Sequence, residues 1–233
     1  MSGKRVAIVQ SSYIPWKGYF DLIRSVDEFI TLDDVQFTRR DWRNRNTIKT
    51  QHGLHWLTIP VVTKGRYTQT IAETEIASPW ADEHWACLHA HYARAPYFPT
   101  LGPVVQRLYE QAAGERLLSS VNHIFLRGIC ETMGVLSGIR PSIDYPHSGV
   151  KTERLLTLCQ AAGAKTYLSG PSAGSYLDID LFTSAGIDVV YADYSGYPEY
   201  PQRHGAFVHG VSILDLLFNT GANVANYMKC FFV

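Results

Sequence analysis

Residues 6–32 hold two short apolar runs, Val6-Ala7-Ile8-Val9 and Phe29-Ile30-Thr31-Leu32. Between them Tyr19, Leu22, Ile23 and Val26 recur at helical spacing. Strand, helix and strand within about 30 residues is the pattern of a βαβ unit, whose short parallel strands are buried in an α/β sheet. The first run ends in Gln10-Ser11-Ser12 and the second in Asp33-Asp34. Polar residues therefore collect at the C-terminal ends of both strands, the edge at which open α/β sheets bind ligands.

A basic segment follows, in which Arg39, Arg40, Arg43, Arg45 and Lys49 alternate with Trp42, Asn44 and Asn46. The whole chain carries 21 acidic and 21 basic residues and a formal charge of zero. Bulk attraction to nucleic acid or to an anionic membrane is thus not expected. A local concentration of cations in a neutral protein suits a small anionic ligand. Arginine recognises phosphate bidentately, and these side chains carry the donors for a diphosphate. Arg39, Arg43 and Arg40 share a face only if the segment is helical; otherwise it reads as a solvated surface anchored by Trp42.

The 233 residues, 46% hydrophobic and 18% charged, allow one globular domain or one with an insertion. No apolar run is long enough to span a bilayer. The opening Met-Ser-Gly-Lys-Arg-Val lacks a secretory apolar region, so the expected location is cytoplasmic. Cys87, Cys130, Cys159 and Cys230 form no CxxC, and three of them lie in helix-like segments, as reduced buried thiols do. Burial raises a thiol's pKa, which makes Cys130 and Cys159 poor nucleophiles.

Further along, residues 55–62 read as a strand with Pro60 at an edge or bulge, and residues 68–77 as a short edge strand. The period changes at Pro79. Helices are predicted over about 80–94, 101–113 and 117–133, a helical insertion at about 79–134. The α/β pattern then returns, with a helix over 152–162 closed by Gly163, a strand at 166–168, a short helix from Asp180 to Gly186 and a strand at 187–191. A last helix opens at Ser212 with Asp215 three residues on, a capping-box spacing. The predicted fold is α/β: one domain spanning 1–233, with a Rossmann-like, mostly parallel sheet, helices on both faces and the helical insertion.

The opening loop, Ser11-Ser12-Tyr13-Ile14-Pro15-Trp16-Lys17-Gly18-Tyr19, resembles the strand–loop–helix of HIGH-type nucleotidylyltransferases. It departs from them in placing Lys17 and Tyr19 around Gly18, one residue short, with neither histidine present. A helix start with a nearby lysine still attracts an anion, because its free N–H groups and dipole favour negative charge. Ser169-Gly170-Pro171-Ser172 stands where that superfamily places a second phosphate loop. The packing alternative is a tight turn with Trp16 in the core. His84, Cys87 and His91 have a spacing that puts three zinc ligands on one helical face, but no fourth ligand accompanies them and they read as packing residues. Ser169 lacks the G-x-S-x-G elbow of a serine nucleophile.

Five blocks, residues 10–23, 33–49 (DDVQFTRRDWRNRNTIK), 151–155, 167–176 (YLSGPSAGSY) and 194–219, are similar to the WbqC-like proteins, and the similarity spans essentially the whole chain. Many members have Asn where this chain has Ser12, and several have Ala where it has Ser172. Members of that family look like products of O-antigen and other surface-polysaccharide gene clusters, and some carry a provisional glycine transferase label. The resemblance implies a cytoplasmic transferase that places an acyl or aminoacyl group, glycyl among the candidates, on a nucleotide-linked amino sugar. The acyl donor is an activated acid, free or carrier-bound, and no motif names a cofactor or metal.

Amide formation of this kind needs a base near the amine and donors for the developing oxyanion. Asp34, at a strand end, and His209, before the last helix, are the expected catalytic groups, with capping and loop hydrogen bonding as the alternative. The expected substrate-binding residues are Gln10, Ser12, Tyr13, Trp16, Lys17, Arg39, Trp42, Arg43, Asn44, Arg45, Lys49, Ser169, Ser172 and Tyr197. The cleft is expected over residues 10–19, 33–49 and 169–176, with Lys17 and the arginines on phosphates and Trp16, Trp42 and Tyr197 on sugar or base. A nucleotidyl- or ligase-type activating enzyme in the same cleft, or a non-catalytic binder of a polysaccharide precursor, are the other readings.

Overall fold

The computed structural model describes residues 3–231. The predicted βαβ unit is present as β1 (Arg5–Val9), α1 (Lys17–Arg24) and β2 (Glu28–Thr31). β1 and β2 pair in parallel with Ala7 opposite Phe29 and Ile8 opposite Ile30. Val6, Ala7, Ile8, Phe29 and Ile30 are all buried, as expected for strands covered on both faces. Three later strands complete the sheet: β5 (Gly138–Pro141), β6 (Thr166–Ser169) and β7 (Asp188–Tyr191). All neighbours are parallel, in the order β5-β2-β1-β6-β7. The fold is therefore α/β and Rossmann-like. The winding reverses at β1, which has β2 on one side and β6 on the other, so the topological switch point lies between β1 and β6.

Each face of the sheet carries helices. On one face α5 (Thr152–Ala161) and α6 (Ile179–Ser184) bury Leu155, Leu158, Cys159 and Phe182 against Val6, Ile8 and Tyr167. On the other, α1 shares a larger core with α2 (Ala81–Tyr92), α3 (Phe98–Ala112), α4 (Leu118–Thr132) and α7 (Ile213–Thr220). The helical block predicted from Pro79 onward is thus three helices in the connection from β2 to β5, and their apolar faces join that core. At its centre Phe125 lies edge-on to Tyr13 and Tyr109, with ring centroids 5.4 and 4.8 Å away.

Several local readings need correction or addition. The basic segment is not helical: Arg45–Thr50 is β3, paired antiparallel with β4 (Gly53–Thr58). The strand expected at 55–62 therefore starts earlier and stops before Pro60. The edge strand expected at 68–77 is reduced to isolated bridges such as Val61 with Ile76. β5 was not anticipated, because Gly-Ile-Arg-Pro is short, half exposed and carries a proline; it survives as an edge strand. Lastly, Ser212 caps α7 by accepting from Leu214 N–H at 3.3 Å, but the reciprocal half of the box is missing. Ser212 N–H donates to Thr47 O, and the Asp215 carboxylate turns inward to accept from Tyr92, Tyr200 and Gln202.

Candidate functional site

Above the C-terminal ends of β1 and β6 lies a cavity of about 750 Å³. Ile8, Val9 and Tyr167 come from the sheet itself. Gln10, Trp16 and Tyr19 come from the loop and helix after β1, and Asp34, Val35 and Gln36 from the segment after β2. Val150, Lys151 and Arg154 form a third wall at the start of α5. Ser169 ends β6 and Gly170, Ser172 and Ala173 follow it, with Tyr176 and Tyr194 beyond them. The cavity thus occupies the switch-point crevice in which open α/β sheets hold ligands.

The β1–α1 loop is held from beneath. Arg43 Nη1 donates to Gln10 O at 3.2 Å and to Ser12 Oγ at 2.9 Å, with Ser11 O at 3.5 Å. Asn46 Nδ2 donates to Tyr13 O and Ile14 O, and Tyr19 OH donates to Gln10 O at 2.9 Å. Ser11 N–H donates to Asp33 Oδ1 at 2.9 Å, and burial pushes the Asp33 carboxyl above its usual value. These bonds fix the loop in a conformation that places Trp16 at the cavity.

Gly18 is what lets Trp16 lie there. A Cβ at this position would stand 2.3 Å from the indole ring. Alanine is favoured over glycine in a helix by about 1 kcal/mol, whereas overpacking costs about 1–3 kcal/mol. Gly18→Ala is expected to lower the stability read from urea unfolding by no more than about 2 kcal/mol, because the two effects oppose. The indole must still swing, so the Trp16 Nε1–H resonance should move in a ¹H–¹⁵N spectrum. An unmoved resonance rules out this packing.

At the opposite wall Asp34 is the centre of a polar cluster. Its Oδ1 accepts from Ser142 Oγ at 2.6 Å, and its Oδ2 lies 2.8 Å from His147 Nε2 and 3.3 Å from Arg154 Nη1. Burial acts to raise the Asp34 pKa, but the Ser142 and His147 bonds outweigh it and hold the carboxyl below its ordinary value. His147 Nδ1 faces Tyr145 O at 2.9 Å, so both ring nitrogens meet acceptors. Arg154 also donates from Nε to Gly149 O at 3.2 Å and from Nη1 to Asp34 O at 3.2 Å. Gly149 has φ of 81°, and a Cβ there would stand 2.7 Å from Glu153 Cβ, so the turn that receives Arg154 requires glycine.

The expected binding residues divide. Gln10, Trp16, Ser169, Ser172 and Asp34 line the cavity. The others stand elsewhere. Tyr13 is fully buried, its hydroxyl 2.6 Å from Tyr109 OH and 2.9 Å from His84 Nδ1. Burial in that aromatic nest lowers the His84 pKa to about 4. Ser12 and Arg43 bond each other beneath the loop. Asn44 is buried and donates to Ile59 O at 2.8 Å. Lys49 is buried and donates to Gln202 Oε1, Ala206 O and Gly205 O. Arg39 and Arg40 are exposed and, with Arg45, border a separate hollow of about 200 Å³. The Arg45 guanidinium lies 4.2 Å from the Trp56 ring centroid, and Trp42 leans on the same ring at 5.4 Å.

Lys17 is buried. Its Nζ donates to Pro198 O at 3.1 Å and faces the rings of Tyr197, Tyr200 and Phe207 at 4.7, 5.4 and 5.9 Å. Burial lowers its pKa to about 8, against the attraction of Asp21. Tyr197 OH donates to Asp21 Oδ2 at 2.5 Å, and burial pushes that carboxyl up to about 6. His209 is exposed beside Phe207, outside the cavity wall, its pKa lowered first by partial burial and then by Lys17. The cleft expected over 33–49 therefore ends at Gln36, where the chain turns away to build the β3–β4 hairpin. Burial pushes the Cys130 and Cys159 thiols up to about 12, and neither lines the cavity.

Sequence reasoning missed Lys151, Arg154, Ser142 and His147. Lys151 and Arg154 fall inside one of the five blocks of family resemblance, which was a usable signal; an isolated His147 gave none.

Residues 10–227 match the WbqC-like protein family. The chain belongs to this family. The WbqC-like match begins at Gln10 and so takes in all of the cavity lining except Ile8 and Val9. An uncharacterized protein, Rv1507c, of Mycobacterium tuberculosis is 49% identical over 227 residues, which cover 97% of this chain and 98% of that protein. No solved structure matches the chain. No helix among the described residues is long and apolar enough to cross a membrane.

Proposed function

We propose that this WbqC-like protein is a transferase of surface-polysaccharide biosynthesis that places an acyl or aminoacyl group, such as glycyl, on the amine of a nucleotide-linked amino sugar. The observation that carries the proposal is the 750 Å³ switch-point cavity. It is the size of a small-molecule site and combines aromatic side chains, two cations and one ionised carboxylate. Trp16, Tyr176 and Tyr194 offer faces to a sugar or base.

In the reaction the neutral amine attacks the carbonyl carbon of the activated acyl donor, and a C–N bond forms while the carbonyl π electrons move to oxygen. The tetrahedral oxyanion collapses, the bond to the leaving thiolate or phosphate breaks, and the extra proton on nitrogen is lost. Asp34, a carboxylate throughout the neutral range, accepts a hydrogen bond from the amine, orients it and receives that proton for release to water. Ser142 and His147 hold the carboxylate in place. Ser169 and the backbone after β6 supply donors on the facing wall. His209 has no step assigned to it.

A thermal-shift series tests this reading. A UDP- or dTDP-amino sugar at a hundred times its Kd should stabilise the protein by about 2.7 kcal/mol. For a chain of this size that is a rise of about 5–10 °C in Tm. Coenzyme A thioesters or an acylated carrier protein should then support formation of the amide, read by mass spectrometry. Stabilisation by ATP with magnesium alone would redirect the assignment to nucleotidyl or ligase chemistry. Binding of the amino sugar with no amide formed from any activated donor leaves a non-catalytic binding protein.

A further inference from the structure

We infer that Arg154 and Lys151 form the anion subsite of the cavity and receive the diphosphate of the nucleotide-linked substrate. This assignment rests on the function proposed above and names the end of the cavity that holds the phosphates. Among the residues lining the cavity the cations are Lys151 and Arg154, and the carboxylate is Asp34, a balance of one positive charge.

Arg154 is aimed before any ligand arrives. Its Nε is bound to Gly149 O and its Nη1 to the carbonyl and carboxylate of Asp34. Nη2 is left as the guanidinium nitrogen without a protein acceptor among the described residues, on a side chain 26% exposed that lines the cavity. Holding two edges of a guanidinium reduces the ordering cost of using the third, and a fixed planar donor suits a phosphate oxygen. Asp34 is thus a positioning residue for Arg154 as well as an acceptor for the amine. Lys151, exposed at the same wall, adds a second charge on a flexible stem. It has φ of 51° and no side chain caps the helix behind it, so the N–H groups of the first turn of α5 add to the same field. Opposite them Ser169 and Ser172 provide neutral hydroxyl donors. Arg39 and Arg40, two of the five cations of the basic segment, are outside this cavity.

The test is direct binding by calorimetry to the full chain, with UDP, dTDP and uridine as probes, at a fixed low salt concentration. UDP or dTDP should bind at least tenfold more tightly than uridine. Arg154→Gln and Lys151→Gln should each remove most of that preference and leave uridine affinity unchanged. Arg107→Gln, an exposed cation on α3, is the charge control and should bind as the wild type does. Two variants are needed because Arg154→Gln also releases Asp34, whereas Lys151→Gln does not; circular dichroism confirms that both are folded. Equal affinity for UDP and uridine, no binding of either diphosphate, or loss of the preference in Arg39→Gln and Arg40→Gln with its retention in Arg154→Gln would each overturn the subsite. Failure of the transferase reading looks different: UDP binding sensitive to Arg154 and Lys151 but no acylated amino sugar. Conversely, turnover with a KM unaltered in both variants overturns the subsite alone.

Discussion

Asp215→Ala should lower stability by about 5 kcal/mol, the largest loss expected from a single substitution in this chain. The carboxylate is fully buried. It is held by Tyr92 OH at 2.6 Å, Tyr200 OH at 2.7 Å and Gln202 Nε2 at 2.8 Å. Removing it strands the Tyr92 and Tyr200 hydroxyls, on two separate segments, and takes one acceptor from Gln202, which still donates to Val208 O; each unpaired buried donor costs about 1–3 kcal/mol. Tyr92 OH also accepts from the backbone of Lys49, so the loss spreads into β3. For a chain this long the fall in Tm is about 10–20 °C. Asp215→Asn keeps one acceptor oxygen and should fall between the two. Urea midpoints for the three proteins decide the matter, and an alanine variant within about 1 kcal/mol of wild type would show that the donors find water instead.

Arg43→Ala is expected to cost about 3 kcal/mol without any ligand present. The guanidinium is mostly buried, and its Nη1 gathers the Gln10 carbonyl and the Ser12 hydroxyl. Charge-assisted bonds of this kind contribute about 1.5–3 kcal/mol each, and part is recovered because Tyr19 OH still serves Gln10 O. An arginine whose business is to touch substrate would leave the Tm of the free protein unchanged on removal. Arg43→Lys, a point charge able to reach one acceptor at a time, should restore part of the loss. Ligand affinity should drop along with stability, since the loop that places Gln10 and Trp16 at the cavity loses its anchor. A free-protein Tm equal to wild type, with affinity lost, assigns Arg43 to the ligand instead.

The parts of the fold that could be read from the sequence are those whose signal is local. β1 and β2 each hold a buried apolar run, α1 has a clear helical period, and polar residues mark the strand ends, so the βαβ unit and the sheet edge that carries the cavity followed. β3 was illegible because Arg-Asn-Thr-Ile-Lys-Thr has no apolar alternation. Its polar side chains are buried by partners far away in sequence: Asn46 bonds Tyr13 O and Ile14 O, Thr47 bonds Gly210 O, and Lys49 bonds Gln202. The same reason misplaces the cations. Lys17 begins a helix beside a loop, as a phosphate ligand would, but residues 197–207 fold over it and burial makes it an anchor. Arg43 carries phosphate-binding chemistry and spends it on the chain's own carbonyls. Arg154 carries no mark beyond the block of family resemblance, and its guanidinium is held by Asp34, 120 residues earlier.

The strand order also governs how the chain must be made. β1 is synthesised well before its partner β6, which begins at Thr166 and pairs there with Arg5. Until β6 is made the central strand therefore has a bare edge, and only β2 is available to it. Unpaired apolar edges of this kind recruit other chains. A message truncated before the codon for Thr166 should yield a product that aggregates or is held by chaperones, however complete its helices. Since β6 also supplies one wall of the cavity, the step that protects the nascent chain is the step that completes the site.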